Sequence, residues 1–242
     1  MRRILLSEIV LLCWLVFAVG HVPQTAHAWT PKLPSFGKKE DSAKAINMDE
    51  LRAEGAAIRI LVAKATESYL EGTGKILTAT GHKKEAVTYE KAAEDLRKNR
   101  EDPQRLKNTV NKINEGNKAL EEILKQQAVF STKARKQFAT GVVYVGAAGL
   151  ADGAAGKMTA DHLEKLNGAI EVVKAEPVKY GVGALSYLTE AADLMTFLST
   201  NLPVHADSIG NTYSALVKYA NTCGVKVSDD DCDEQFNKIT AK

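Results

Sequence analysis

Proline and aromatic residues are scarce in this chain of 242 residues, and its charges nearly cancel: six prolines, 6 % aromatics, and 32 Lys and Arg against 30 Asp and Glu. So little proline, with 17 glycines and 45 % hydrophobic residues, excludes collagen and disordered classes, while 26 % charged residues exclude a multi-pass membrane protein. A formal charge of +2 supplies no whole-chain basic field, so no nucleic-acid partner is expected. Also missing is any useful run of alternating polar and apolar residues, which excludes a sheet and leaves helix.

The chemistry-bearing motifs are missing as well. His82, His162 and His205 are preceded three positions earlier by Ala79, Thr159 and Leu202, so the Glu-x-x-His pairs of a di-iron bundle are absent. No His-Glu-x-x-His, Cys-x-x-Cys-His, P-loop or Gly-x-Ser-x-Gly occurs, which removes zincin, c-type haem, nucleotide and serine-hydrolase readings. A b-type haem on an isolated His or Met ranks lowest. The expectation is a protein that is not an enzyme and carries no cofactor or metal.

What is present begins with an address. Arg2 and Arg3 precede an apolar run from Ile9 to Val19, and Ala26-His27-Ala28 follows as a cleavage signature. The run is short of the roughly 20 residues that span a bilayer. Residues 1–28 therefore read as a signal peptide cut after Ala28, with an uncleaved anchor as the alternative, and the protein as periplasmic or secreted. Cys13 lies inside the run and is not placed to take a lipid. Cleavage removes Arg2, Arg3 and Glu8 and leaves 214 residues of net charge +1. It also leaves only Cys223 and Cys232, with eight residues between them, in an oxidising compartment. A disulfide between them is expected, worth about 2 to 3 kcal/mol by loop entropy.

Residues 29–45 hold Pro31, Pro34, Gly37 and the run Lys38-Lys39-Glu40-Asp41, the pattern of an extended tether. Beyond it proline occurs only at 103, 177 and 203, and 46–242 reads as a single all-α domain, an elongated antiparallel helical bundle with coiled-coil-like long helices. One seam pairs Leu51, Ile58, Ala65 and Gly72 with Gly55, Val62, Tyr69 and Ile76, and ends or kinks near Gly72, Gly74 and Gly81. An amphipathic piece through Val87, Ala92, Ala93 and Leu96 follows. Asp102 then caps a helix with Pro103 at its first position. A single heptad phase runs from Leu106 to Val145 and predicts an unbroken rod of about 60 Å, with polar Asn117, Gln127 and Ser131 on its seam.

Separate helices are expected over 159–176, over 178–200 and beyond Pro203 to Cys223-Gly224, where Gly224 suits the position after a helix end. Ser228-x-x-Asp231 opens a short last helix through Phe236 and Ile239. The acids Asp229, Asp230, Asp231, Asp233 and Glu234 lack the spacing of a calcium loop and read as a charge-capped helix start.

One segment stands out. Gly146, Gly149, Gly153 and Gly156 recur at spacings of three and four among alanines, a glycine-zipper pattern made for close helix approach. The sequence places these residues at a tip, where the chain either packs tightly or turns, or else meets a membrane with residues 141–156.

The outline is similar to elongated helical-bundle adaptors and to α-helical pore-forming toxins, with no motif specific to either. The expected function is an exported binding or scaffolding module whose partner is a cell-envelope protein or a second copy. The alternative is a membrane-active protein, pore-forming in manner, that inserts the 141–156 tip.

Overall fold

The computed structural model describes residues 46–241 except Gln127 and the side chain of Val182; the segments read as signal peptide and tether, 1–28 and 29–45, lie outside them. Helix α1 (Met48–Ala79) starts where Asn47 Oδ1 accepts the Glu50 amide, with Asp49 and Glu50 offsetting the helix dipole. It ends in a Schellman turn: Gly81 has φ 94°, and the His82 amide reaches back to the Leu77 carbonyl at 2.8 Å. Helices α2 (Lys83–Lys98), α3 (Pro103–Val110) and α4 (Lys112–Leu124) follow. Asp102 caps α3 as its sequence predicts, accepting the Gln104 and Arg105 amides at 2.9 and 3.0 Å, with Pro103 at the first helical position.

The forty-residue rod does not exist. Its heptad phase is divided among α3, a bend at Asn111, α4, the non-helical residues 125–126 and 128–131, and the start of α5 (Thr132–Ala175). A seam that faces one core keeps its phase whether the chain runs on or folds back, so periodicity alone could not separate the two. Here the chain folds back. Ser131, read as a seam residue, caps α5 by accepting the Ala134 amide at 3.2 Å. Phe130 plugs the turn against Phe138 and Tyr219, with ring centroids 5.0 and 6.4 Å away. Gln127 lies outside the described residues.

Two further boundaries move. Helix α5 runs without interruption through the glycines and the expected start at 159, for 44 residues or about 66 Å. After the single turn α6 (Pro177–Tyr180), α7 (Val182–Thr222) passes through Pro203 instead of stopping there. Helix α8 (Asp229–Thr240) closes the chain. Gly224, φ 65°, ends α7 in a second Schellman turn, with the Val225 amide 2.8 Å from the Ala220 carbonyl.

The all-α fold is as expected, and no strand occurs among the described residues. Helix α5 lies between α1 and α7 and antiparallel to both: Gly72 faces Gly141 and Gly55 faces His162, while Gly146 meets Tyr213 and Gly156 meets Leu202. Helices α3 and α4 supply the fourth inner line, α2 covers the outside of α1, and α8 lies over α5 and α1 through Phe236 and Ile239. The interior forms two main apolar clusters, one around Ile58, Leu106, Leu166 and Leu198, the other around Tyr69, Ile113, Phe138 and Leu216.

Candidate functional site

The four zipper glycines occupy the middle of α5 and face α7, so they are no tip and no turn. A Cβ on Gly146 would stand 2.6 Å from the Tyr213 ring, and one on Gly149 would stand 2.9 Å from Ile209. At Gly153 and Gly156 it would meet Ala206, Leu202 and Pro203 at ordinary distances of 3.6 to 3.9 Å. Close packing, one of the readings of the zipper, is what these residues perform. Helix α5 is long and apolar enough to cross a membrane, and 67 % of its most apolar window is buried in the bundle.

Cys223 and Cys232 are free thiols, contrary to the expected disulfide. The Schellman turn at Gly224 redirects the chain and separates their environments. Cys223 Sγ lies 3.9 Å from the Ala128 carbonyl, whereas Cys232 is buried on α8 with Sγ 3.3 Å from Tyr213 Oη. Burial pushes the Cys232 thiol up, making it a poor nucleophile. What holds α8 is packing: Phe236 and Ile239 against Ala65, Ala147 and Ala151, and Lys64 Nζ donating to the Ala241 carbonyl at 2.7 Å. Asp229, Asp230 and Asp231 fill the first turn of α8, although Ser228 makes no side-chain cap bond.

The histidines do not gather. His82 sits at the top of α2, 3.2 Å from Gln126 Oε1. Buried His162 has Nδ1 3.1 Å from Glu54 Oε2, and Lys165 donates to Glu54 Oε1 at 2.6 Å. Burial raises the Glu54 carboxyl, but the bonds from Lys165 and His162 more than reverse this. Among the described residues no three His, Cys, Asp or Glu side chains come together as a metal site.

Where the two main apolar clusters meet, the interior is polar, and this is what sequence reading missed. The Tyr69 hydroxyl donates to Asn117 Oδ1 at 2.8 Å, with the Ile113 carbonyl a second acceptor at 3.1 Å, and Asn117 Nδ2 donates to Ser208 Oγ at 2.8 Å. The seam position Asn117 therefore ties α1, α4 and α7 together. Close by, Asp152, Thr66 and His205 are 0, 0 and 2 % exposed. Thr66 Oγ1, His205 Nδ1 and both Asp152 carboxyl oxygens have no hydrogen-bond partner. Burial alone pushes Asp152 up to about 8 and pulls His205 down. The only acid within the zipper is thus a neutral group at pH 7. The one available signal was its isolation in an uncharged run.

Two of the recesses among the described residues bear on function. The larger, about 440 Å³, lies between α2 and α4: Tyr89, Ala119 and Ile123 line it, with His82, Glu85, Lys112 and Lys118 around them. The smaller, about 240 Å³, is ionic: buried Glu67 receives Arg97 at 2.6 Å and Arg100 at 2.6 Å, and Arg97 also bonds Glu71. That network clamps the end of α2 onto α1. No family model, curated protein or solved structure matches this chain.

Proposed function

We propose that this protein is an exported, non-enzymatic helical module that binds a protein partner of the cell envelope. The partner docks an amphipathic helix in the recess between α2 and α4. The observation that carries this reading is the lining of that recess: an apolar floor of Tyr89, Ala119 and Ile123 inside a rim of alternating charge. A helix-in-groove contact needs apolar anchors at helical spacing and a rim that fixes register, and this lining fits it.

The test places a photo-crosslinker at Ala119 and, as control, at exposed Asn211, in otherwise native chain expressed in its host. A defined adduct from position 119 alone, lost when Glu replaces Ile123, is expected. Identical adducts from both positions, or none from 119, would sink the reading. Export is checked in the same material, whose N-terminus should be Trp29.

A membrane-active role is the second reading, favoured by the length and composition of α5. It requires α5 to leave α1 and α7. Flotation with anionic and neutral liposomes tests it, with Gly153→Glu as the variant, since Gly153 has room that Gly149 lacks. Absence of lipid binding by the wild type disposes of it.

A further inference from the structure

We propose that the proton on Asp152 gates the joint between α5 and α7: with Asp152 neutral the two helices seat through Gly146–Gly156, and loss of the proton parts them there. Asp152 is 0 % exposed and neither oxygen has a partner, so a charge at this position would have no compensation. The surrounding elements offer neutral groups. From α1 come Thr66 and Tyr69, both within the α1–α5 contact bounded by Gly72–Gly141 and Gly55–His162, while Arg59 of the same stretch acts on His162. From α7 comes His205, level with Asp152 because Gly153 meets Ala206 across the joint. From α4 comes the Asn117 amide, already bonded to Tyr69 and Ser208. Helix α8 turns Phe236 and Ile239 inward and keeps the Lys238–Glu234 pair at the surface. No neighbouring charge contributes to the raised Asp152 carboxyl.

The joint is also the place where the bundle can yield. Glycine and alanine bury little apolar surface per residue, so the contact holds less strongly than a Leu or Ile seam of the same length. Pro203, opposite Gly156, has no amide to give the Ser199 carbonyl, which leaves α7 a ready hinge at that level.

Opening would return Asp152 to water, where its ordinary value is 3.8, against about 8 when closed. Between those values each opening releases one proton, so the opening constant rises about tenfold per pH unit and levels off above the closed value. The buried histidines His205 and His162, both pulled down, favour opening only as pH falls below their ordinary 6.5. Tyr69 and Cys232 are pushed up and out of range. The clean window is therefore about pH 6.5 to 8.

Hydrogen exchange on the full mature chain reads this directly, comparing wild type with Asp152→Asn at matched pH so that intrinsic exchange cancels. In peptides covering 146–156 and 202–209, the wild-type to variant ratio of opening constants should rise about tenfold per pH unit across the window, with far-UV circular dichroism unchanged. Asp152→Ala should abolish the slope as Asn does. A flat ratio overturns the proposal. So do opening constants for 146–156 and 202–209 no larger than those for 184–198, which would mean global unfolding and no local joint.

Discussion

Alanine at Gly146 and alanine at Gly168 are the same chemical change on the same helix, with opposite signs expected. At Gly146 the new methyl collides with Tyr213, and α5 must shift off α7, at about 1 to 3 kcal/mol of stability. At Gly168 nothing lies within 4 Å, so only the helix-propensity gain of about 0.5 to 1 kcal/mol is left. Urea unfolding of the two variants checks both, and a stable Gly146→Ala would contradict the packing of α5 on α7. Asp152 has the largest effect at this scale. Its carboxyl is raised in the fold, so the unfolded chain gives up the proton first, and stability falls as pH climbs from about 4 to about 8. The shift from 3.8 to about 8 corresponds to on the order of 5 kcal/mol, reduced by whatever water reaches the group. Asp152→Asn should therefore raise the melting temperature at pH 8 by several degrees and change it little near pH 4.

At the scale of elements, capping and docking separate. Asp102 holds the first turn of α3 through two backbone amides, and Asp102→Ala should cost about 1 kcal/mol in equilibrium unfolding. Helix α8 depends on packing, because Cys232 forms no bridge to Cys223. Phe236→Ala should cost about 3 kcal/mol and expose Cys232 to thiol reagents while the rest of the chain stays folded. In the wild type, half-buried Cys223 should label first and Cys232 only with denaturant. Mass spectrometry after denaturing alkylation without reductant should find both thiols modified, and an unlabelled pair would contradict the separated cysteines. The elements also show which local signals speak: Asp102-Pro103 and Gly224 lie where sequence puts them, and the stripe from Leu185 to Leu198 is helical as expected, although the helix read over 178–200 begins only at 182. The rod from 106 to 145 does not, since α3, α4 and α5 share one seam phase on both sides of a reversal. Val129, Phe130, Ser131 and Thr132 were the overlooked cue, a β-branched and aromatic run with a cap residue, poor for a helix interior.

For the molecule as a whole, the amino-acid sequence by itself determined an all-helical chain, because the period of its apolar residues and the chemistry of its caps act over one or two turns. It likewise marked Gly146 to Gly156 as made for close approach, since only small residues there leave room for a neighbouring helix. Which helix approaches was decided by tertiary structure, which buries that stripe on α7 in mid-bundle where the sequence had read a tip. The same holds for Pro203, tolerated because α7 is held along its length by α5, and for the two cysteines, set apart by the turn at Gly224. Asp152 shows the difference most plainly. Its isolation in an uncharged run is the one mark its neighbours along the chain give it, and its proton is retained because the packed bundle withdraws water from it and supplies no charge in return.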